Sequence, residues 1–184
     1  MQSLASSDAD ERLLASARAG DATSFERLIG PHIGAGYRLA AAMLNDPAAA
    51  EDAVQEATLH AWRAVSRLRP GSRLRPWFLT IVANQSRSMR RTRWWSVVRL
   101  PQPRPHALAG TDPAATDPAD RRMELVDALR RLNADERAAI FLRFYEDMNS
   151  REVGQALGIS AAGARSRIRR GLYRLRVELS EGEL

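Results

Sequence analysis

Two stretches without a carboxylate hold the residues with the most binding chemistry. Between Glu56 and Asp112 there is no acid, while arginine stands at 63, 67, 69, 73, 75, 87, 90, 91, 93, 99 and 104. Between Glu152 and Glu178 the basic residues are Arg165, Arg167, Arg169, Arg170, Arg174 and Arg176. Lysine is absent, so every fixed cationic side chain is a guanidinium. Such a group grips phosphate and the guanine edge with two parallel hydrogen bonds. A GC-rich genome would enrich arginine on its own, but it would not gather it into tracts. Two separated basic tracts point to two contacts on a polyanion.

The first tract follows an acidic one. Glu51-Asp52-Ala53-Val54-Gln55-Glu56 leads into Leu59-His60-Ala61-Trp62-Arg63, and Asp52, Gln55, Glu56 and Leu59 fall on one helical face. A solvated helix start favoured by the macrodipole would also look acidic. Taken with the arginines beyond it, the polarity suggests a segment that holds protein at one end and nucleic acid at the other. Trp62, Trp77 and Phe78 tempt a stacking role, yet their helical spacing with Val65 and Ile81 favours the core, as for Tyr37. His32, His60 and His106 are scattered, with no metal-ligand spacing, and no nucleophile has a paired base. No glycine loop is built to cradle phosphate. The expectation is no enzyme, no metal, no cofactor and no small-molecule substrate.

The elements that must position these residues read as helices throughout. A chain of 184 residues with 45% hydrophobic content suffices for one ordinary domain or two small ones. It has no cysteine, no basic-apolar leader and no run long enough to cross a bilayer, so a cytoplasmic protein with no membrane insertion is expected. Residues 11 to 29 suggest a short helical pair, and Ile33, Tyr37, Ala40 and Leu44 mark the stripe of a helix ending near Asn45-Asp46-Pro47. The next helix starts near Ala48 and turns Val54, Thr58, Ala61, Val65 and Leu68 inward. Pro76 suits the first turn of another, with Trp77, Phe78, Ile81 and Val82 as its core.

Pro101, Pro103, Pro105, Pro113 and Pro118 then interrupt any apolar period, the composition of a mobile tether. Beyond it Leu125, Leu129 and Leu132 begin a second helical set, continued by Ile140, Phe141 and Phe144. Asn149 and Glu152 have capping-box spacing. Gly158-Ile159-Ser160 makes a turn into a last helix, which Ser160 caps and which turns Ala164, Ile168, Leu172, Leu175 and Leu179 inward. That is a helix-turn-helix, a unit that lays its second helix in the major groove. The chain is therefore expected to be all-α, with two small helical domains (1–93 and 121–184) joined by a flexible linker over 94–120.

The acidic face, the basic-aromatic helix and the order of parts together resemble region 2 of a bacterial sigma factor of the extracytoplasmic-function group, in the sigma-70 family. Leu157-Gly158-Ile159, Arg165-Ser166-Arg167-Ile168 and Gly171-Leu172-Tyr173-Arg174-Leu175-Arg176 resemble region 4 of the same group. The resemblance implies transcription initiation and its regulation, often in a stress response, through core RNA polymerase, promoter DNA and an anti-sigma factor. Asp52, Gln55, Glu56 and Leu59 would then bind the β′ clamp coiled coil, with the β flap a further polymerase contact. Arg67, Arg69, Ser72, Arg73, Asn84, Arg87, Arg90 and Arg91 would meet the −10 element and help to melt it. Ser160, Arg165, Ser166, Arg167, Arg169 and Arg170 would meet the −35 element. Gly163 and Ala164 depart from the Thr and β-branched pair that usually opens this helix, which would shift base reading toward Arg165 and Arg167. Ser88 replaces a frequent Asp. On the residues alone two rivals remain: a free-standing helix-turn-helix regulator with an N-terminal sensing or dimerisation domain, and a structured RNA-binding protein.

Overall fold

In the computed structural model residues 2–69, 71–97 and 118–181 are described, and among them eight α-helices occur and no strand. They are α1 (Gln2–Arg18), α2 (Ala22–Leu44), α3 (Pro47–Ala64), α4 (Leu74–Val97), α5 (Pro118–Arg131), α6 (Ala134–Ile140), α7 (Ser150–Leu157) and α8 (Ala161–Glu181). A 3-10 turn at Val65–Arg67 follows α3, and a π-helical turn at Phe141–Tyr145 follows α6. Most of the expected Pro-rich linker, 98–117, lies outside the described residues.

Asp21 starts α2 by accepting from the amides of Thr23 and Ser24, each at 3.2 Å. Its side-chain hydrogen bond with Ser24 holds the carboxyl below the ordinary range. The sequence suggests a break near residue 30. Instead α2 runs through Pro31 and stops at Asn45, whose left-handed φ of 54° closes a hydrogen bond to Ala41 O. Proline removes one amide donor from a helix without breaking it where packing holds both sides. Here the packing is dense: Leu39, Ala40 and Met43 of α2 face Ala50, Ala53, Ala57 and Ala61 of α3 and Phe78, Leu79, Val82 and Ala83 of α4, all buried. Of the expected stripe Ala40 is buried, as are Leu39 and Met43, which widen it on one side in the sequence, while Ile33, Tyr37 and Leu44 are half-buried beside them.

Small residues set the close approach of these helices. A Cβ on Gly36 would stand 2.9 Å from Phe78 Cε1 and 3.2 Å from Val82 Cγ2. Phe78 and Val82 are core, as expected, while Trp77 and Ile81 lie partly buried against it. Trp62 meets the Phe25 ring edge-on, with centroids 5.1 Å apart. That contact makes it a packing residue rather than a platform for bases.

Half-buried His32 on α2 carries a pH signature. Burial pushes its pKa down, Arg75 adds to the effect and Asp10 opposes it. The unfolded chain therefore binds the proton more readily, and stability should fall as pH drops below about 6.5. Urea melts of the protein and of His32→Gln between pH 5 and pH 8 check this. The variant should show a shallower dependence in that window.

The second half depends on side-chain caps. Asn133 Oδ1 accepts from the amide of Glu136 at 2.9 Å and opens α6. Arg137 turns back and donates to the carbonyls of Leu129, Arg130 and Leu132 at 3.2, 2.9 and 3.1 Å, closing the end of α5. Asn149 and Glu152 form the expected capping box on α7. Gly158, at φ +64°, ends α7, and Ser160 Oγ accepts from Gly163 N at 3.0 Å to cap α8.

Three expected core positions of the second half are exposed, and Leu129, Leu175 and Leu179 are half-buried. Phe144 is 57% exposed, because the π-helical turn rotates it away from Leu142, which is fully buried. Leu125 and Leu172 are each 40% exposed. Buried contact along α8 is made by Ala164 and Ile168, and beyond Gly171 the helix has less covering it.

The two halves pack on each other, α4 against α7 and α2 against α6. One continuous cluster of buried side chains runs from Leu14 through Val82 to Leu157 and Ile168. No periodicity in the sequence announces this contact.

Candidate nucleic-acid and protein interfaces

The acidic face arises from how α3 is packed. Pro47 takes its first position, and Asp46 accepts from Ala49 N at 3.1 Å. Ala49, Ala50, Ala53, Val54, Ala57 and Ala61 turn inward, and Asp52, Gln55, Glu56 and Leu59 all face solvent. Leu59 is 48% exposed beside two carboxylates, an apolar anchor within a charged rim. All four residues singled out in the sequence are brought together.

The first basic set is spread along the end of α3, the following loop and α4. Arg67, Arg69, Arg73, Asn84 and Arg91 are exposed, whereas Ser72, Arg87 and Arg90 are half-buried. Three of these arginines already have partners in the other half. Arg73 pairs with Glu152, and Arg90 with Asp135 at 3.1 Å. Arg87 donates to Asn84 Oδ1 at 2.9 Å and also to the carbonyl of Ala156. Burial holds the Arg87 guanidinium below its ordinary pKa; Asp135 opposes the shift, and Arg90 and Arg167 add to it.

Two further arginines lie beside this set: Arg75, which the sequence places in the same tract without a site role, and Arg38, which it does not single out. Arg75 ion-pairs with Glu146, and Arg38 lies 3.9 Å from the same carboxylate while its guanidinium covers the Tyr145 ring at 5.0 Å. Arg38 sits far upstream on α2, which is why no local pattern reveals it.

The second basic set lines α8. Arg165, Arg169 and Arg170 are exposed, and Ser166 Oγ accepts from Arg170 Nη1 at 2.8 Å. Ser160 is engaged in capping. Arg167 is half-buried, 3.6 Å from Asp135, so of the two arginines expected to take over base reading Arg165 is the exposed one. Ala164 is fully buried and faces the core rather than a groove. Glu136, only 3% exposed, anchors this helix: it accepts from Arg174 at 3.1 Å and lies 3.9 Å from Arg170 Nε. Glu136 was not singled out from sequence, and Arg174 was counted in the basic tract without a role, although Arg170 and Arg174, four apart, share a helical face.

Among the described residues no helix is long and apolar enough to cross a membrane, and no three potential ligands cluster to hold a metal ion. The surface offers binding by charge in three places.

Comparison with known proteins fits this division. The family model for Sigma-70 region 2 matches residues 28–96, and that for Sigma-70, region 4 matches residues 122–175. The chain is 35% identical over 167 residues to the RNA polymerase sigma factor CarQ of Myxococcus xanthus, covering 91% of this chain and 95% of that one. It is 28% identical over 166 residues to the ECF RNA polymerase sigma factor SigL of Mycobacterium tuberculosis, covering 90% and 94%. Among solved structures it is similar to the sigma factor RpoE of Bartonella quintana, crystallised with the anti-sigma factor NepR. That match has a TM-score of 0.69 and 25% identity, and covers 85% of this chain and 96% of that one.

Proposed function

This chain belongs to the sigma-70 family, in its extracytoplasmic-function group, and we propose that it docks on core RNA polymerase through α3 and addresses a promoter through its two arginine surfaces. As a sigma factor it directs transcription; it makes and breaks no bond itself, and works where the polymerase works, in the cytoplasm. Asp52, Gln55, Glu56 and Leu59 form the docking face, and its target is the coiled coil of the β′ clamp. Arg67, Arg69, Ser72, Arg73, Asn84, Arg87, Arg90 and Arg91 take the −10 element. Part of this set holds phosphates and part holds a base drawn from the stack. Ser160, Arg165, Ser166, Arg167, Arg169 and Arg170 take the −35 element, where half or more of the contacts position rather than specify. Residues 1–93 and 121–184 act as the two modules, with 94–120 between them. The β flap completes the polymerase contact, and an anti-sigma factor is a further partner, as NepR is in the RpoE complex.

One observation carries the reading. A solvent-facing acid-and-leucine patch on α3 stands apart from the helix-turn-helix, so protein and DNA have separate surfaces. The test is gel filtration of the purified chain with core polymerase. Co-elution at equal stoichiometry is expected, together with promoter binding that needs both components. A chain that elutes alone yet binds operator DNA tightly as a dimer would instead be a free-standing regulator.

A further inference from the structure

Glu136 is a buried acid whose cationic partners stand on the helix assigned to the −35 element. It lies in the first turn of α6 and reaches α8 because the two helices come very close. A Cβ on Gly171 would stand 3.3 Å from Glu136 Cβ and 2.9 Å from Ile140 Cδ1. One oxygen of Glu136 accepts from Arg174 Nη1 at 3.1 Å, and the other lies 3.9 Å from Arg170 Nε. Arg170 is held on a second edge, since its Nη1 donates to Ser166 Oγ at 2.8 Å. These contacts do not cover either guanidinium. Both arginine side chains stay more than half exposed, fixed in direction yet open on the outer side.

A buried carboxylate needs a partner, and a staple between α6 and α8 would supply one with no further role. Two observations go beyond that need. Glu136 engages two cations where one would neutralise it, and both flank the exposed stripe of α8 that carries Arg165 and Arg169. In addition Arg169, Arg170, Tyr173 and Arg174 line one hollow on the outside of the helix, and Tyr173 is exposed. Three guanidiniums against one buried carboxylate leave that hollow net positive. Helix length then places it. Arg174 follows Arg165 by nine residues, about 13 Å along the axis, and the major groove is about 12 Å wide. With Arg165 at the base edges, the hollow stands over the phosphates that border the groove.

We propose that Arg170, Tyr173 and Arg174 form a site for a DNA backbone phosphate on the later turns of α8, and that Glu136 is its positioning residue. This rests on the −35 assignment of α8 and deepens it, adding Tyr173, Arg174 and Glu136 to the residues placed there. Glu136 does not touch DNA. It sets where two long side chains point, which lowers the ordering cost they otherwise meet on binding. Simple charge repulsion predicts the reverse, since an acid near a phosphate weakens its binding. The two effects differ in sign.

Holoenzyme reconstituted with the full chain is titrated with a promoter duplex recovered by mapping the 5′ ends of its own transcripts. Arg174→Ala should weaken binding about tenfold, equally with an intact and a scrambled −35 element, and should lower the salt slope by about 0.9. A single methylphosphonate linkage, which removes one phosphate charge, is then walked along the backbone bordering the −35 element. One position should cost the parent about tenfold and cost Arg174→Ala nothing more. Glu136→Leu should weaken binding about fivefold, and Glu136→Gln, which keeps an acceptor oxygen, should regain most of that loss. Tighter binding by Glu136→Leu would identify an acid that competes with DNA and would overturn the proposal. Unchanged binding, or a loss that glutamine does not regain, would overturn it as well. Should Glu136→Leu lose helicity, the methylphosphonate cycle with Arg174→Ala decides, and additive losses at every linkage overturn the site. Failure of the parent to select any promoter would count against the −35 reading instead. The salt slope of the chain alone on a random duplex, still expected to fall by about 0.9 in Arg174→Ala, would then judge the site.

Discussion

Replacing Asp52 and Glu56 together by alanine should lower transcription by the reconstituted holoenzyme roughly a hundredfold while leaving the melting temperature almost unchanged. The size follows from two contact residues that each cost about 1.4 kcal/mol when truncated, within the range of interface residues that matter, and each such loss is a tenfold change in affinity. The structural neutrality follows from where they stand. Both side chains point to solvent on α3, neither is ion-paired to another described residue, and the helix is held by its alanine face and by Asp46. Alanine is also the better helix former. Polymerase titrations at fixed promoter, alongside thermal melts, separate lost docking from lost folding. A fall in melting temperature of many degrees would move these acids from the docking face to the fold.

The second large effect is expected from one methyl group. Gly154 lies beneath the turn of the helix-turn-helix, and a Cβ there would stand 2.7 Å from Ile159 O, 3.1 Å from Ser160 C and 3.2 Å from Ala161 N. All three atoms are backbone, so no side chain can swing aside. The turn is further pinned by Ile159 N donating to Gly154 O at 2.8 Å. Gly154→Ala should therefore cost about 1–3 kcal/mol, as overpacking of a fixed core does. For a chain of this size the melting temperature should fall by about 2–4 °C for each kcal/mol. The same push tilts α8 away from α7, so −35 binding should weaken more than the stability loss alone accounts for. Gly34→Ala provides the contrast: its Cβ would meet only Arg38 Nη1, the far end of a long side chain, at 3.4 Å, and the helix should gain stability.

What could be read from sequence was whatever has a local signature. The Asn149–Glu152 box, Gly158 in the left-handed region and Ser160 as a cap are matters of spacing, and each is present. The α3 acids share a face for the same reason, because helical period alone places them. Where a helix loses its covering neighbour, period misleads, and Leu172 is exposed despite standing in register with Ile168. The break between residues 29 and 33 is the opposite case, since tertiary packing carries α2 straight through Pro31. Hardest to see was Glu146. In Arg143-Phe144-Tyr145-Glu146 it reads as a solvated acid in a polar, aromatic turn, yet it is buried by Arg38 and Arg75 from helices far upstream. Pairings across such separations leave no mark on composition or period. Gly154 did offer a signal, a glycine inside a short helix four residues before a glycine cap, where only close backbone approach excuses its low propensity.

The central claim is that an acid patch binds the transcription machine while two arginine surfaces choose where it starts. It is tested most directly by sequencing the 5′ ends of transcripts made on genomic DNA by core polymerase, with and without this chain. The account predicts a set of start sites that appear only with the chain and share one sequence element near −10 and another near −35. The same start sites in both reactions would contradict it.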